Sequence, residues 1–174
     1  MILLAPIIIE DGIDQSKVHK MRTTVRGIIR KGNKVLMVYS PTFSDYTFPG
    51  GGVKDGEDLY TALYRELKEE LGVTEIKDIE PYGILKELRH GLNKNGQTYE
   101  QTSYYYTCEV GTLGLQNLAW REQQHGVIPT WVDIKEALKQ NMSIQFDHHH
   151  TKEGMKTVIM RENTILRTLL EDVA

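Results

Sequence analysis

Apolar positions in this chain recur with two periods. The β character of 23–30, with Val25, Ile28 and Ile29, and of 35–39 predicts two strands, joined at the hairpin turn Lys31-Gly32-Asn33-Lys34. Thr47-Phe48 is read as a brief strand entering Pro49-Gly50-Gly51-Gly52. Further strands are expected over 79–89, 98–110 and 127–132. The first two of these meet at Asn93-Lys94-Asn95-Gly96, whose Asn-Gly pair is a strong hairpin signal. The helical period appears in Leu59, Leu63, Leu67 and Leu71, spaced i, i+4, with Tyr60 and Tyr64 beside that stripe. It returns over 134–140, with Asp133 as the cap, and over 155–170, with Val158, Ile165, Leu166 and Leu169. The stretches 10–20, 111–126 and 141–154 read as turn or loop, the second with one helical turn. No internal repeat or low-complexity linker interrupts them. Mixed strands with three helices predict an α/β sandwich.

The helix that begins near Leu59 carries more than a core stripe. Asp55 or Gly56 is expected to cap it, and Gly72 to end it in the left-handed conformation. On its other side, drawn at about 100° per residue, fall Ala62, Glu66, Glu69 and Glu70, flanked by Arg65. Glu66 and Glu70 are like charges one turn apart, which mildly destabilises a helix. A purely solvated face would more often alternate signs. Acids gathered on one side, preceded by a glycine-rich turn, are what binding divalent cations and breaking a phosphoanhydride need. Hard cations prefer oxygen ligands, so Mg²⁺ or Mn²⁺ suits these glutamates better than zinc. Neither His nor Cys occurs between Gly51 and Val73.

The spacing resembles the Nudix box: Gly, five residues, Glu, seven residues, Arg-Glu, an aliphatic, any residue, Glu-Glu, any residue, Gly, an aliphatic. Gly51, Glu57, Arg65, Glu66, Leu67, Glu69, Glu70, Gly72 and Val73 fill every fixed position. The resemblance implies a Nudix-type α/β/α sandwich with a mixed β-sheet and a loop-helix-loop catalytic motif. It implies Mg²⁺-dependent hydrolysis of a pyrophosphate bond in a nucleoside diphosphate linked to another moiety: a nucleotide sugar, a nucleoside triphosphate or an oxidised nucleotide. By the same likeness Glu70 is a principal metal ligand. Glu66 and Glu69 complete the cluster and share in activating water, and Arg65 orients a glutamate. A carbonyl of Gly50 or Gly51 adds a ligand, and Glu57 is structural or an outer-shell partner. Many members use an acid outside the box as base. Glu122 is the first candidate here, with Glu100 and Glu87 behind it. Tyr46 and Phe48, just before the glycine turn, are expected to line the nucleotide pocket. Arg26 is the best placed of Arg22, Arg26 and Arg30 to hold phosphate. Two alternatives stay open: a non-catalytic nucleotide-sensing module, or a diphosphate isomerase, for which Cys108 in a strand is a poor acid–base partner.

With 174 residues the chain is long enough for one domain with a real core. It is read as an N-terminal arm or strand over 1–20 and a single domain over 21–174. A net charge of −3 gives no general attraction to nucleic acid. The single cysteine excludes an intramolecular disulfide and fits a reducing, cytoplasmic setting. The apolar start, 1–9, is too short for a membrane span and lacks a basic leader. Ile7-Ile8-Ile9 packs as a short strand on the domain or on a second subunit, so a homodimer is an open alternative. The partner is a small nucleotide-type molecule, with neither nucleic acid nor membrane. His148, His149 and His150 cannot all face one ion from adjacent positions, and are read as loop residues. His90 and His125 have no identifiable partner. Tyr105 is expected to face away from Tyr104 and Tyr106, in core packing.

Overall fold

A computed structural model describes residues 1–18, 20–92 and 96–172. The strands are β1 (Ile8–Ile9), β2 (Lys20–Ile28), β3 (Arg30–Lys31), β4 (Lys34–Ser40), β5 (Asp45–Thr47), β6 (Gly50–Gly52), β7 (Ile76–His90), β8 (Thr98–Val110) and β9 (Ile128–Asp133). The helices are α1 (Leu59–Leu71), α2 (Trp120–His125), α3 (Ile134–Ile144) and α4 (Lys156–Glu171). One sheet runs β1-β7-β8-β2-β6 and is mixed: β2 lies parallel to β8 and antiparallel to β6, while β7 and β8 are antiparallel. In the second sheet β4 pairs with β3, β5 and β9, all antiparallel.

Alternation along the strands sorts side chains into two cores. Val25, Ile29, Leu36, Val38, Tyr106 and Cys108 pack with Leu63, Leu67 and Leu71 of α1. Ile28, Val35, Met37 and Tyr105 turn the other way, toward Ile134 and Ala137 of α3 and Ile165, Leu166 and Leu169 of α4. Helices therefore cover both faces, and the chain is an α/β/α sandwich. Strand β4 is buried on both faces, which accounts for its nearly unbroken apolar run. Tyr105 does oppose its neighbours and is fully buried.

Several local expectations are corrected. Asp58, not Asp55 or Gly56, caps α1: its carboxylate accepts from Thr61 N at 3.0 Å and from Thr61 Oγ1 at 2.6 Å. Gly72 ends the helix with φ 64°, as expected. Tyr60 and Tyr64 are exposed. Ala62, Glu66 and Glu70 are buried instead, because β6 lies across what the sequence reads as the outer face. The polar stretch after 140 continues α3 to Ile144. Residues 93–95 of the expected hairpin turn lie outside the described residues. The first residues join the larger sheet: Leu4 N donates to Ile84 O at 3.0 Å, and Ile8 and Ile9 pair with Glu87 and Leu88.

Candidate active site

The glycine turn is held from below by β2. Arg26 Nη1 donates to Phe48 O at 3.0 Å and to Gly50 O at 2.9 Å, and Gly27 N donates to Pro49 O at 2.8 Å. Gly50 has φ 138°, and a Cβ there would stand 2.0 Å from Val25 O, so only glycine is accommodated. A Cβ on Gly51 would come within 2.6 Å of the Glu66 carboxylate. The glycines thus let a strand lie directly on the acidic face of α1.

That contact removes the acids from water. Glu70 is 7% exposed, and its Oε2 accepts from Gly50 N at 2.7 Å. Burial raises its pKa to about 8; Arg26 and the Gly50 bond oppose the rise, while Glu122 and Glu66 add to it. Burial also raises Glu66, against the pull of Arg65. Arg65 organises the rest. Its Nε and Nη2 donate to the two Glu57 oxygens, each at 2.8 Å, its Nη1 to Glu66 Oε1 at 2.6 Å, and its Nη2 to Gly52 O at 2.9 Å. Glu69 Oε2 lies 3.6 Å from Arg65 Nη1. The paired Arg65 holds Glu57 down at about 2.

A cleft of about 680 Å³ opens over these groups, within the ~300–1,000 Å³ range of small-molecule sites. Its lining brings together Glu66, Glu69, Glu70 and Glu122 with the glycine turn, and sets Arg22, Arg26 and Lys54 among them. Glu122, on α2, also accepts from Ala119 N at 2.9 Å. The other two base candidates lie elsewhere: Glu100 pairs with Lys86 at 3.2 Å, and Glu87 is buried against Arg161 at 3.0 Å. Phe48 is a second correction. It is fully buried, edge-on to Tyr105, because β5 ends by turning its ring into the core. Tyr46 lines a separate recess with Tyr39, Val132 and Lys139. The histidine run is structural in its contacts. His150 is 1% exposed, with Nε2 2.8 Å from Asp45 Oδ2 and Nδ1 2.8 Å from Asp147 Oδ1. His125 stacks on Phe43, and His90 Nδ1 meets Glu153 at 3.2 Å.

Sequence reasoning missed the loop that closes the cleft. Asn117 N donates to Glu69 O at 2.7 Å, and Gln116 Nε2 to Glu70 O at 2.7 Å, tying the 111–119 stretch to the end of α1. Nothing in its periodicity signals this; the nearest clue is Gly114, which touches Gly72 and leaves no room for a Cβ.

Among the described residues no three His, Cys, Asp or Glu side chains converge into a ready-made metal cage. Glu66 is turned to Arg65, and Glu70 to Gly50 N. The donor chemistry still suits a hard divalent cation, since Mg²⁺ keeps waters and needs only one or two carboxylates.

The NUDIX domain family model matches residues 20–152. RNA pyrophosphohydrolase of Actinobacillus pleuropneumoniae serotype 5b (strain L20) is 42% identical over 52 residues, 30% of this chain and 25% of that protein. Nudix hydrolase 13, mitochondrial, of Arabidopsis thaliana is 32% identical over 109 residues, 61% of this chain and 52% of that one. CTP pyrophosphohydrolase of Escherichia coli (strain K12) is 41% identical over 58 residues, 31% and 43% of the two chains. The matches thus span about a quarter to a half of these curated relatives. The crystal structure of the MutT protein from Bacillus halodurans superposes with a TM-score of 0.50 at 22% identity, over 68% of this chain and 72% of that one, a likeness of fold.

Proposed function

Starting from a chain that belongs to the Nudix family, we propose that its cleft hydrolyses a pyrophosphate bond in a nucleoside diphosphate linked to another moiety. A nucleotide sugar, a nucleoside triphosphate and an oxidised nucleotide are the substrate classes. The observation that carries this reading is the pairing of opposite charges in one cleft. Four glutamates line it, and Arg22, Arg26, Lys54 and Arg65 stand among them. The acids suit a cation and the bases suit the phosphates it would help to cleave. The names of relatives with pyrophosphohydrolase activity support the same reaction class.

Glu66, Glu69 and Glu70, with a carbonyl of Gly50 or Gly51, are the groups that would hold Mg²⁺ or Mn²⁺. When bound, the ion supplies charge neutralisation and a water of lowered pKa. Arg65 is a positioning residue, fixing Glu66 and Glu57 against the glycine turn. Arg26 holds the turn itself through Phe48 O and Gly50 O. Glu122 takes the proton as water attacks phosphorus. The anhydride P–O bond breaks, and the electron pair leaves with the departing phosphate oxygen. Glu66 and Glu69 share in orienting that water. We place residues 21–174 in one domain, with 1–20 as its arm, and the protein in the cytoplasm. Among the described residues no helix is long and apolar enough to cross a membrane. Exposed Ile2, Leu3, Ile7 and Ile9 on the arm keep a homodimer open. The isomerase alternative is disfavoured because Cys108 is buried under α1 and its thiol is pushed up to about 12 by burial.

The test is a panel of nucleoside diphosphate derivatives and nucleoside triphosphates with Mg²⁺ and Mn²⁺. Metal-dependent release of phosphate-bearing products is expected. Ligand binding with no product release across the panel would favour the sensing module.

A further inference from the structure

A second cavity adjoins the cleft. It measures about 190 Å³ and shares Arg22, Arg26 and Thr47 with it. Arg89 of β7 and Arg161 of α4 complete a ring of four guanidiniums, and among the described residues lining it there is no carboxylate. The nearby acids are committed elsewhere. Glu87 and Glu162 both bond Arg161, and Glu10 accepts from His90 N and Gly154 N. Arg161 is thereby neutralised and serves as a buried strut, 4% exposed. The other three make no direct carboxylate contact among the described residues, though Arg26 lies in the field of Glu70 and Glu66, and Arg22 and Arg89 in that of Glu87. Among the described residues Arg22 makes no side-chain hydrogen bond or ion pair, and Arg26 Nε is buried without a partner. Arg89 makes long hydrogen bonds, at 3.4 Å, to Gln101 Oε1 and His90 O, and its guanidinium lies over the Tyr99 ring at 5.3 Å. Burial, and after it repulsion from Arg89, Arg26 and Arg161, lowers the pKa of Arg22 to about 10, with Glu87 opposing the shift. Like charges so placed cost stability unless an anion enters. The N-terminus of α4 points the same way: Gly154 and Met155 line the cavity, the cap position Met155 offers no side-chain bond, and the first turn contains no acid.

We propose that this arginine pocket is a second anion subsite, taking a further phosphate of the substrate while the neighbouring cleft holds the bond to be cut. At about 190 Å³ it lies below the ~300–1,000 Å³ of whole-ligand sites and suits one phosphate group. The inference rests on the hydrolytic reading of the cleft and narrows its substrate. The favoured molecules carry a phosphate beyond the diphosphate that is hydrolysed, as a nucleoside triphosphate does and a simple nucleotide sugar does not.

The test is titration calorimetry of the full chain in chelator-containing buffer, with inorganic tripolyphosphate and orthophosphate as probes. Parent, Arg22→Gln and Arg89→Gln are compared, with thermal melting to confirm folding. Tripolyphosphate should bind the parent one to one, more tightly than orthophosphate, and at least tenfold more weakly in each variant. Arg89 lines the arginine pocket and not the cleft, so its loss reports on this cavity alone. If Arg89→Gln fails to fold, Met155→Glu, which sets a carboxylate in the arginine pocket and not in the cleft, should weaken tripolyphosphate binding at least tenfold and decides the matter. Equal affinities in the parent and the folded variants would overturn the subsite, as would orthophosphate binding as tightly as tripolyphosphate. Hydrolysis by a parent that does not bind tripolyphosphate would retire the subsite alone. Tripolyphosphate binding that is Arg89-dependent, with no hydrolysis of any nucleotide, would retire the hydrolytic reading and leave an anion site standing.

Discussion

Replacing Glu70 with Gln separates what this carboxylate does for chemistry from what it does to the fold. The residue is buried, and its carboxylate accepts from Gly50 N at 2.7 Å. Its pKa lies at about 8, against an ordinary 4.5, with burial the main cause. The sign follows from linkage: the folded chain holds this proton more tightly than the unfolded chain does. Stability is therefore full below pH 4.5 and falls as pH rises toward about 8. At about 1.4 kcal/mol per pH unit the loss in metal-free protein is roughly 3 kcal/mol at pH 7 and roughly 5 kcal/mol at pH 9. Gln has no charge to desolvate and its carbonyl can still accept from Gly50 N. Its amide N–H₂ must find an acceptor where the carboxylate oxygen stood, and left without one it costs about 1–3 kcal/mol.

The variant should consequently be no more stable than the parent at pH 5, and more stable at pH 9, when both are melted in chelator. With saturating Mg²⁺ the parent should gain stability at pH 9 and the variant should gain little. Turnover of the variant should fall by several orders of magnitude, because a neutral amide is a poor ligand for a hard cation. Melting curves from pH 5 to 9, with chelator and with Mg²⁺, and initial rates at saturating metal supply the comparison. A parent–variant difference that does not change with pH would refute the burial argument. A Glu70→Gln protein that stays active at saturating metal would refute the ligand assignment.

Other expectations follow from the same contacts. A chelator should abolish hydrolysis and added Mg²⁺ or Mn²⁺ should restore it; full activity after rigorous metal removal, read by phosphate release, would sink the mechanism. Leu67→Ala, at a fully buried position under β2, should cost about 2–5 kcal/mol in urea unfolding, with activity lost only as the fold is lost. The double change His148→Ala with His149→Ala should move the melting point little. His150→Ala leaves buried Asp45 without its partner and should cost about 1–3 kcal/mol. Neither set should alter the metal concentration needed for half-maximal rate, and a large increase in that concentration would bring the loop into the site.

What the sequence disclosed depended on how far apart the interacting residues lie. The leucine stripe of α1, the cap at Asp133 and the stop at Gly72 are set by neighbours within a turn or two, and each is found where periodicity and capping chemistry put it. The strands β4 and β8 were legible for the same reason. The environment of the acids was not. Drawn on an isolated helix, Glu66 and Glu70 face water; in the folded chain β2 pairs with β6 in a register that sets Gly51 opposite Val25 and lays the glycines on them. No periodicity within α1 contains that pairing, so the identity of the acids could be read and their raised pKa could not. Phe48 failed similarly, because a residue next to a loop signal was assigned to the pocket, whereas β5 delivers its ring to Tyr105.

The arginines show the same limit from the other side. Along the chain Arg22, Arg89 and Arg161 lie far apart, on two strands and a helix, and each would pass for a surface position. Parallel pairing of β2 with β8, antiparallel pairing of β8 with β7, and the seating of α4 against β7 bring them to one cavity. Arg161-Glu162-Asn163 interrupts the apolar stripe of α4, yet all three residues are buried. Glu162 meets Phe48 N at 2.9 Å, so the helix that carries the arginine strut also secures the entry to the glycine turn. The segment 47–52 thus ties Arg26, Glu70 and Glu162 together. A change that loosens β6 should disturb the burial of Glu70 and the arrangement of Arg26 together, because both are bonded to Gly50.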